Sequence, residues 1–140
     1  MSDERRWEWL VQLDDELLMG GIMTSDFAAE LIRNADLCFV HDAFVACLIT
    51  CGATIETWLR EEGTHGNRFV DLIDASDFDA ATKTEMHALR KERNLWVHID
   101  DPWEDHDVEE QYSNGHSELK AKCESALRLM RTVVYSTPFV

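Results

Sequence analysis

Residues Ala43 to Ile55 form a nearly apolar run without a single charged side chain. At this length the run is short of the roughly 20 residues a membrane span requires, so it reads as a helix buried inside a soluble fold. Its apolar character extends from about His41 to Glu62, and Gly63 closes it. A helix apolar all round must be covered on every side, which makes this the central element. Gly52 within it costs about 1 kcal/mol relative to Ala, and the return for that cost is the close approach of another helix.

The remaining segments supply the cover. Arg6 to Met19 carries Trp7, Leu10, Val11, Leu13, Leu17 and Leu18 at helical spacing and ends at Gly20-Gly21. Thr24-Ser25-Asp26 is an N-cap cluster for a second helix running through Phe27, Leu31, Leu37, Phe39 and Val40. A short helical piece holds Phe69, Val70, Leu72 and Ile73. Asp77 or Asp79 then caps a helix from about Ala80 to Ile99, which Pro102 halts near Val97–Asp100. After an acidic loop over 100–115, a last helix runs from about Ser117 to Ser136 on a stripe of Leu119, Cys123, Leu127, Met130 and Val133/Val134. No segment alternates with period two. The expected fold is all-α, an antiparallel bundle of four to five helices in one domain over residues 1–140, without linker, repeat or low-complexity segment.

Composition narrows the class of function. The chain has 45% hydrophobic residues, too many for a disordered acidic tail. Thirteen Lys and Arg stand against 28 Asp and Glu, a formal net charge of −15, which opposes unaided tight binding to nucleic acid. The start, Met-Ser-Asp-Glu-Arg-Arg, is not followed by an apolar signal core. A cytoplasmic protein that keeps away from membranes is expected. Cys38, Cys47, Cys51 and Cys123 form no CxxC pair and read as reduced core residues. Of the five Trp, Trp7, Trp58 and Trp96 fit core stripes, and Trp9 and Trp103 fit interface anchors.

Chemistry concentrates at the end of the fifth helical segment, Leu89-Arg90-Lys91-Glu92-Arg93-Asn94-Leu95-Trp96-Val97-His98. The inward stripe is Met86, Leu89, position 93, Trp96 and Val97, so an arginine occupies a core-facing position. A half-buried guanidinium needs an anionic partner. Glu56, bordering the stripe Leu48, Gly52, Ile55 and Leu59, is the candidate for a structural ion pair with Arg93. His87, Lys91, Asn94 and His98 share another face, flanked by Arg90 and Arg93, and residues 83–93 carry a local excess of positive charge. His98 lies in the last helical turn, where a cation is favoured by about 0.3–1 kcal/mol. Arg to hold a phosphate oxygen, Asn to orient and His to move a proton are parts for phosphodiester chemistry. RNA brings its own 2′-hydroxyl nucleophile, so neither cofactor nor metal is required. A competing metal constellation, His98, Asp100, Asp101, Asp105 and His106, lacks zinc-like spacing.

Arg93-Asn94-x-x-x-His98 resembles the Arg-polar-x₃-His motif of the HEPN superfamily. The buried helix ending Ile55-Glu56-Thr57-Trp58-Leu59-Arg60, the Leu72-Ile73 segment and Leu89-Arg90-x-x-Arg93-Asn94 are similar to prokaryotic branches of it. The resemblance implies an all-α bundle that forms a homodimer with two motifs facing across a cleft. It also implies metal-independent RNA cleavage of the kind used in toxin–antitoxin and antiviral defence systems. Arg93, Asn94 and His98 would then be catalytic, and Arg90 and Lys91 would bind substrate. The family's other mode is a catalytically inactive dimerisation and protein-binding module with an antitoxin or defence partner. Where many nuclease toxins of the family carry Tyr just after the His, this chain has Ile99-Asp100-Asp101. Seven carboxylates and no Lys or Arg occupy residues 100–110.

Overall fold

The computed structural model describes residues 2–103 and 117–139, and within them the chain is all-helical. In order the helices are α1 (Asp3–Leu17), α2 (Asp26–Val40), α3 (Phe44–Glu61), α4 (Phe69–Ala75), α5 (Ala80–Val97) and α6 (Ser117–Val134). That is six helices among the described residues, the short α4 included. The starts follow from side-chain caps. Ser2, Ser25 and Asp79 accept from the backbone N–H of Arg5, Ala28 and Thr82 respectively. Gly63 adopts φ +78 just beyond α3, the conformation that favours glycine after a helix end.

α3 is the central element, packing against α2, α4, α5 and α6. Its buried residues reach round the helix, from Phe44, Cys47, Leu48 and Cys51 to Thr54, Ile55, Trp58 and Leu59. α1 closes the bundle against α2 and α6. An isolated antiparallel bridge between Gly21 and Phe139 pins the tail to the α1–α2 connection. There a Cβ on Gly20 would collide with the Phe139 carbonyl oxygen, so the link admits no side chain.

Two arginines are core residues. Arg6 donates from Nη1 to the Phe39 and Val40 carbonyls at 3.2 and 3.0 Å, pairs with Asp42, and lies over the Phe39 and Phe44 rings. It thereby places a cation on the C-terminal carbonyls of α2, where the helix dipole favours one. Arg131, 2% exposed, donates to Asp14 at 2.9 Å and to both Asp36 oxygens at 2.9 and 2.8 Å, and Tyr135 adds a bond to Asp14 at 2.6 Å. Burial opposes charge on Arg131, but Asp36 and Asp14 more than offset it and hold the guanidinium protonated. Burial pushes the Asp36 carboxyl above its usual range, with Arg131 pulling it partly back.

The four cysteines are free; Cys47, Cys51 and Cys123 are buried and Cys38 is half-buried. Cys123 donates to the Phe44 carbonyl at 3.1 Å. Its hydrogen bond with the Cys47 thiol, together with burial, pushes it far above the ordinary thiol range, so it is no nucleophile at neutral pH. Two tryptophans depart from expectation: Trp7 is exposed, while Trp9 packs on the core with its ring 5.3 Å from that of Phe39. Trp58 is buried and Trp96 is half-buried. No helix among the described residues is long and apolar enough to cross a membrane.

Candidate functional site

α5 is amphipathic around a buried pair, Met86 and Leu89. One turn beyond Leu89 the inward position belongs to Arg93. Its stem lies on Gly52 of α3, where an added Cβ would come within 2.9 Å of Arg93 Cδ. The close approach that Gly52 permits is therefore to an arginine side chain, not to helix backbone. The guanidinium donates from Nη1 to Glu56 Oε1 at 3.1 Å and lies 5.2 Å from the centroid of the Phe69 ring on α4. The Arg93 side chain stays 19% exposed. The other Glu56 oxygen accepts from Arg60 Nη2 at 2.9 Å. Arg60 in turn binds the Gly66 and Asn67 carbonyls at 3.3 and 2.9 Å. Glu56 is thus a shared carboxylate that fixes Arg93 on one side and anchors the α3–α4 loop on the other.

Polar stripe residues sit on the outward side of α5. His87 is tied down: its Nε2 lies 2.8 Å from Asp74 Oδ1 of α4, and its Nδ1 accepts from Arg90 Nε at 3.4 Å. Both contacts are met when Nε2 carries the proton, so Arg90 is docked on a neighbouring ring. Lys83 donates to the Asp74 carbonyl at 3.0 Å, closing the same corner. Lys91 is exposed. Asn94 is half-buried, and its carbonyl accepts the His98 backbone N–H at 2.9 Å. His98 caps α5 with φ −119 and ψ 71, and its side chain is exposed. The side chains of Lys91, Asn94 and His98 make no hydrogen bond or ion pair among the described residues.

Within one chain, then, Arg93 turns inward to Glu56 and Phe69 while Asn94 and His98 face outward. The helix brings them to one end without a direct bond between them. Beside His98 three apolar side chains stand in the open: Val97 at 47%, Ile99 at 54% and Trp103 at 93% exposure. Val97, read from its spacing as an inward position, lies on the surface, since α5 ends there and no element among the described residues covers it. Asp105, His106 and the carboxylates from 104 to 110 lie outside the described residues. Among those described, no group of three or more His, Cys, Asp and Glu side chains is placed to hold a metal.

Sequence reasoning missed Phe69 as the ring under Arg93 and Arg60 as the second partner of Glu56. An arginine four residues after Glu56 on one helix face was the available signal for the latter.

Comparison with known proteins found no match among curated proteins and none among solved structures. A family model, Domain of unknown function (DUF4145), matches residues 33–124, which include Gly52, Glu56, Phe69, Arg93, Asn94 and His98. That match spans more than half of the chain, and the protein belongs to the DUF4145 family.

Proposed function

We propose that this protein is a HEPN-like, metal-independent endoribonuclease that works as a homodimer through the C-terminal end of α5. The observation that carries the reading is the pairing of opposites there. Arg93 is fixed by Glu56, while the side chains of Asn94 and His98, within five residues of it, have no hydrogen-bond or ionic partner among the described residues and stand beside exposed Val97, Ile99 and Trp103. A single helix end supplies one wall and not a cleft. Burying those three apolar side chains against a second copy supplies both the driving force for association and the opposite wall.

In this reading the ribose 2′-OH attacks the adjacent phosphorus. The new 2′-O–P bond forms as the P–O5′ bond breaks, leaving a 2′,3′-cyclic phosphate and a 5′-hydroxyl. His98 takes or supplies a proton, Asn94 orients a phosphate oxygen, and the Nε and Nη2 of Arg93, which Glu56 does not engage, stabilise the charge gathering on phosphorus. Arg90 and Lys91 add backbone contacts on the same face.

The test is cleavage of structured and single-stranded RNA in EDTA by the dimeric species. His98→Ala is expected to lower the rate by about 10²–10⁴-fold at unchanged melting temperature, since the side chain supports no packing. Cleavage equal to wild type in that variant removes His98 from the chemistry. No cleavage by wild type replaces the reading with the inactive dimerisation and protein-binding module.

A further inference from the structure

A second feature lies on the other side of α5 and owes nothing to the polar stripe. A groove of about 410 Å³ lies between α5 and α6. Its floor is Leu48 of α3, with Leu89 and Leu129 from the two flanking helices. Its width comes from Ala88 on one bank and Ala121 on the other, both exposed, where larger side chains would meet and close it. On the rim, Glu85 and Glu118 stand on opposite banks, exposed and without an ionic partner among the described residues. The ammonium of Lys122 is engaged by Glu92 across the groove at 3.2 Å. The surface is therefore an apolar trough between unneutralised carboxylates.

We infer that this groove docks a basic amphipathic helix of a partner protein, its apolar side chains on the floor and its Lys or Arg side chains against Glu85 and Glu118. Spacing supports a helical occupant, because a trough between two helices accepts anchors at i, i+3, i+4 and i+7. Charge selects its sign. A second copy of a chain at net −15 would bring carboxylates against carboxylates. The chain's own connection between α5 and α6 has no Lys or Arg from 100 to 116, so the rim repels it as well. The polar lining consists of rim carboxylates, the engaged Lys122 and the Ser125 hydroxyl, with no buried polar group to orient a small molecule.

The experiment uses the full chain and a fluorescein-labelled helical peptide of Leu, Ala and Lys, with Leu at i, i+3, i+4 and i+7, read by polarisation. The same peptide with Glu for Lys is its counterpart. The Lys peptide is expected to bind and the Glu peptide not to bind. Ala121→Trp, which fills the floor, and Glu85→Lys/Glu118→Lys, which leaves the core untouched, each weaken binding by about tenfold or more. Asp15→Lys/Glu30→Lys makes the same change in net charge away from the groove and leaves binding within about twofold, since exposed charges beyond a Debye length are screened. Equal loss in the distant charge variant, or no loss in Ala121→Trp, overturns the proposal in favour of diffuse attraction to an acidic surface. Binding that appears only when 104–116 is replaced by a Gly/Ser linker assigns the groove to the chain's own connection. Wild-type self-association abolished by Ala121→Trp assigns it to a second copy. Either result overturns the proposal too. None of these readouts involves RNA, so this inference and the nuclease reading fail separately.

Discussion

Gly52→Ala sets two terms of known sign against each other. In the interior of α3 the substitution gains about 0.5–1 kcal/mol, because glycine is a poor helix former. The new methyl would stand 2.9 Å from Arg93 Cδ, 3.7 Å from Cγ and 3.8 Å from Cβ. A free surface arginine would swing away at little cost. This one is held at its far end by Glu56 at 3.1 Å and by the Phe69 ring at 5.2 Å, so the middle of the stem has to bow while both ends stay put. Overpacking of that kind costs about 1–3 kcal/mol, so Gly52→Ala is expected to be destabilising on balance, by up to about 2.5 kcal/mol. In an Arg93→Ala background the obstruction is gone while Glu56 keeps Arg60 at 2.9 Å, and the same substitution is expected to stabilise by about 0.5–1 kcal/mol. Urea unfolding of the four proteins, read by far-ultraviolet circular dichroism, measures the coupling. If Gly52→Ala stabilises both backgrounds equally, within about 0.5 kcal/mol, Arg93 does not rest on Gly52 and its placement in the site is wrong.

Three further outcomes follow from the packing. Arg131→Met strands Asp36 in the core and is expected to cost about 3–5 kcal/mol at neutral pH. Because burial already raises the folded-state pKa of Asp36, protonation of that group adds stability below the ordinary carboxylate range and is lost as pH rises through the raised value. The variant's deficit should therefore shrink in mild acid, and urea midpoints that show the same deficit at both pH values refute the assignment. Arg6→Met removes the two bonds to the last carbonyls of α2 and should cost about 2 kcal/mol, read by thermal unfolding. Ser25→Ala deletes the N-cap of α2 and a contact to Glu61 of α3, with an expected loss of about 1 kcal/mol.

Helices were legible in the sequence wherever the inward stripe is apolar. Leu119, Cys123, Leu127 and Met130 mark the phase of α6 correctly, and the run from Ala43 to Ile55 announces α3 as central. Position 131 lies four beyond Leu127, and position 6 lies four before Leu10, so both arginines sit in phase with the core. Residue type concealed what spacing indicated, because a cation inside is permitted only by partners distant in the chain. Arg131 needs Asp14 and Asp36, and Arg6 needs the end of α2. Arg93 was readable as inward from the spacing of Met86 and Leu89 on its own helix, and Glu56, bordering the α3 stripe, was readable as its partner. The groove was not readable, since Ala88 and Ala121 define it only once α5 and α6 are set side by side.

Charge on α5 separates by face, and the proposed nuclease reading requires such a separation in an acidic chain. At 3.6 residues per turn, Glu85 and Glu92 fall on the groove side and Lys83, Arg90 and Lys91 on the outer side, with Arg93 between them at the core. Net charge describes the field far from a protein. At contact, the charges within about 10 Å decide at moderate salt. Lys83 and Arg90 are docked against the Asp74–His87 corner, and Lys91 and His98 project from the outer face. An anion approaching the outer face therefore meets Lys91 and the flanking guanidinium, while the carboxylates of the same helix point to the opposite side.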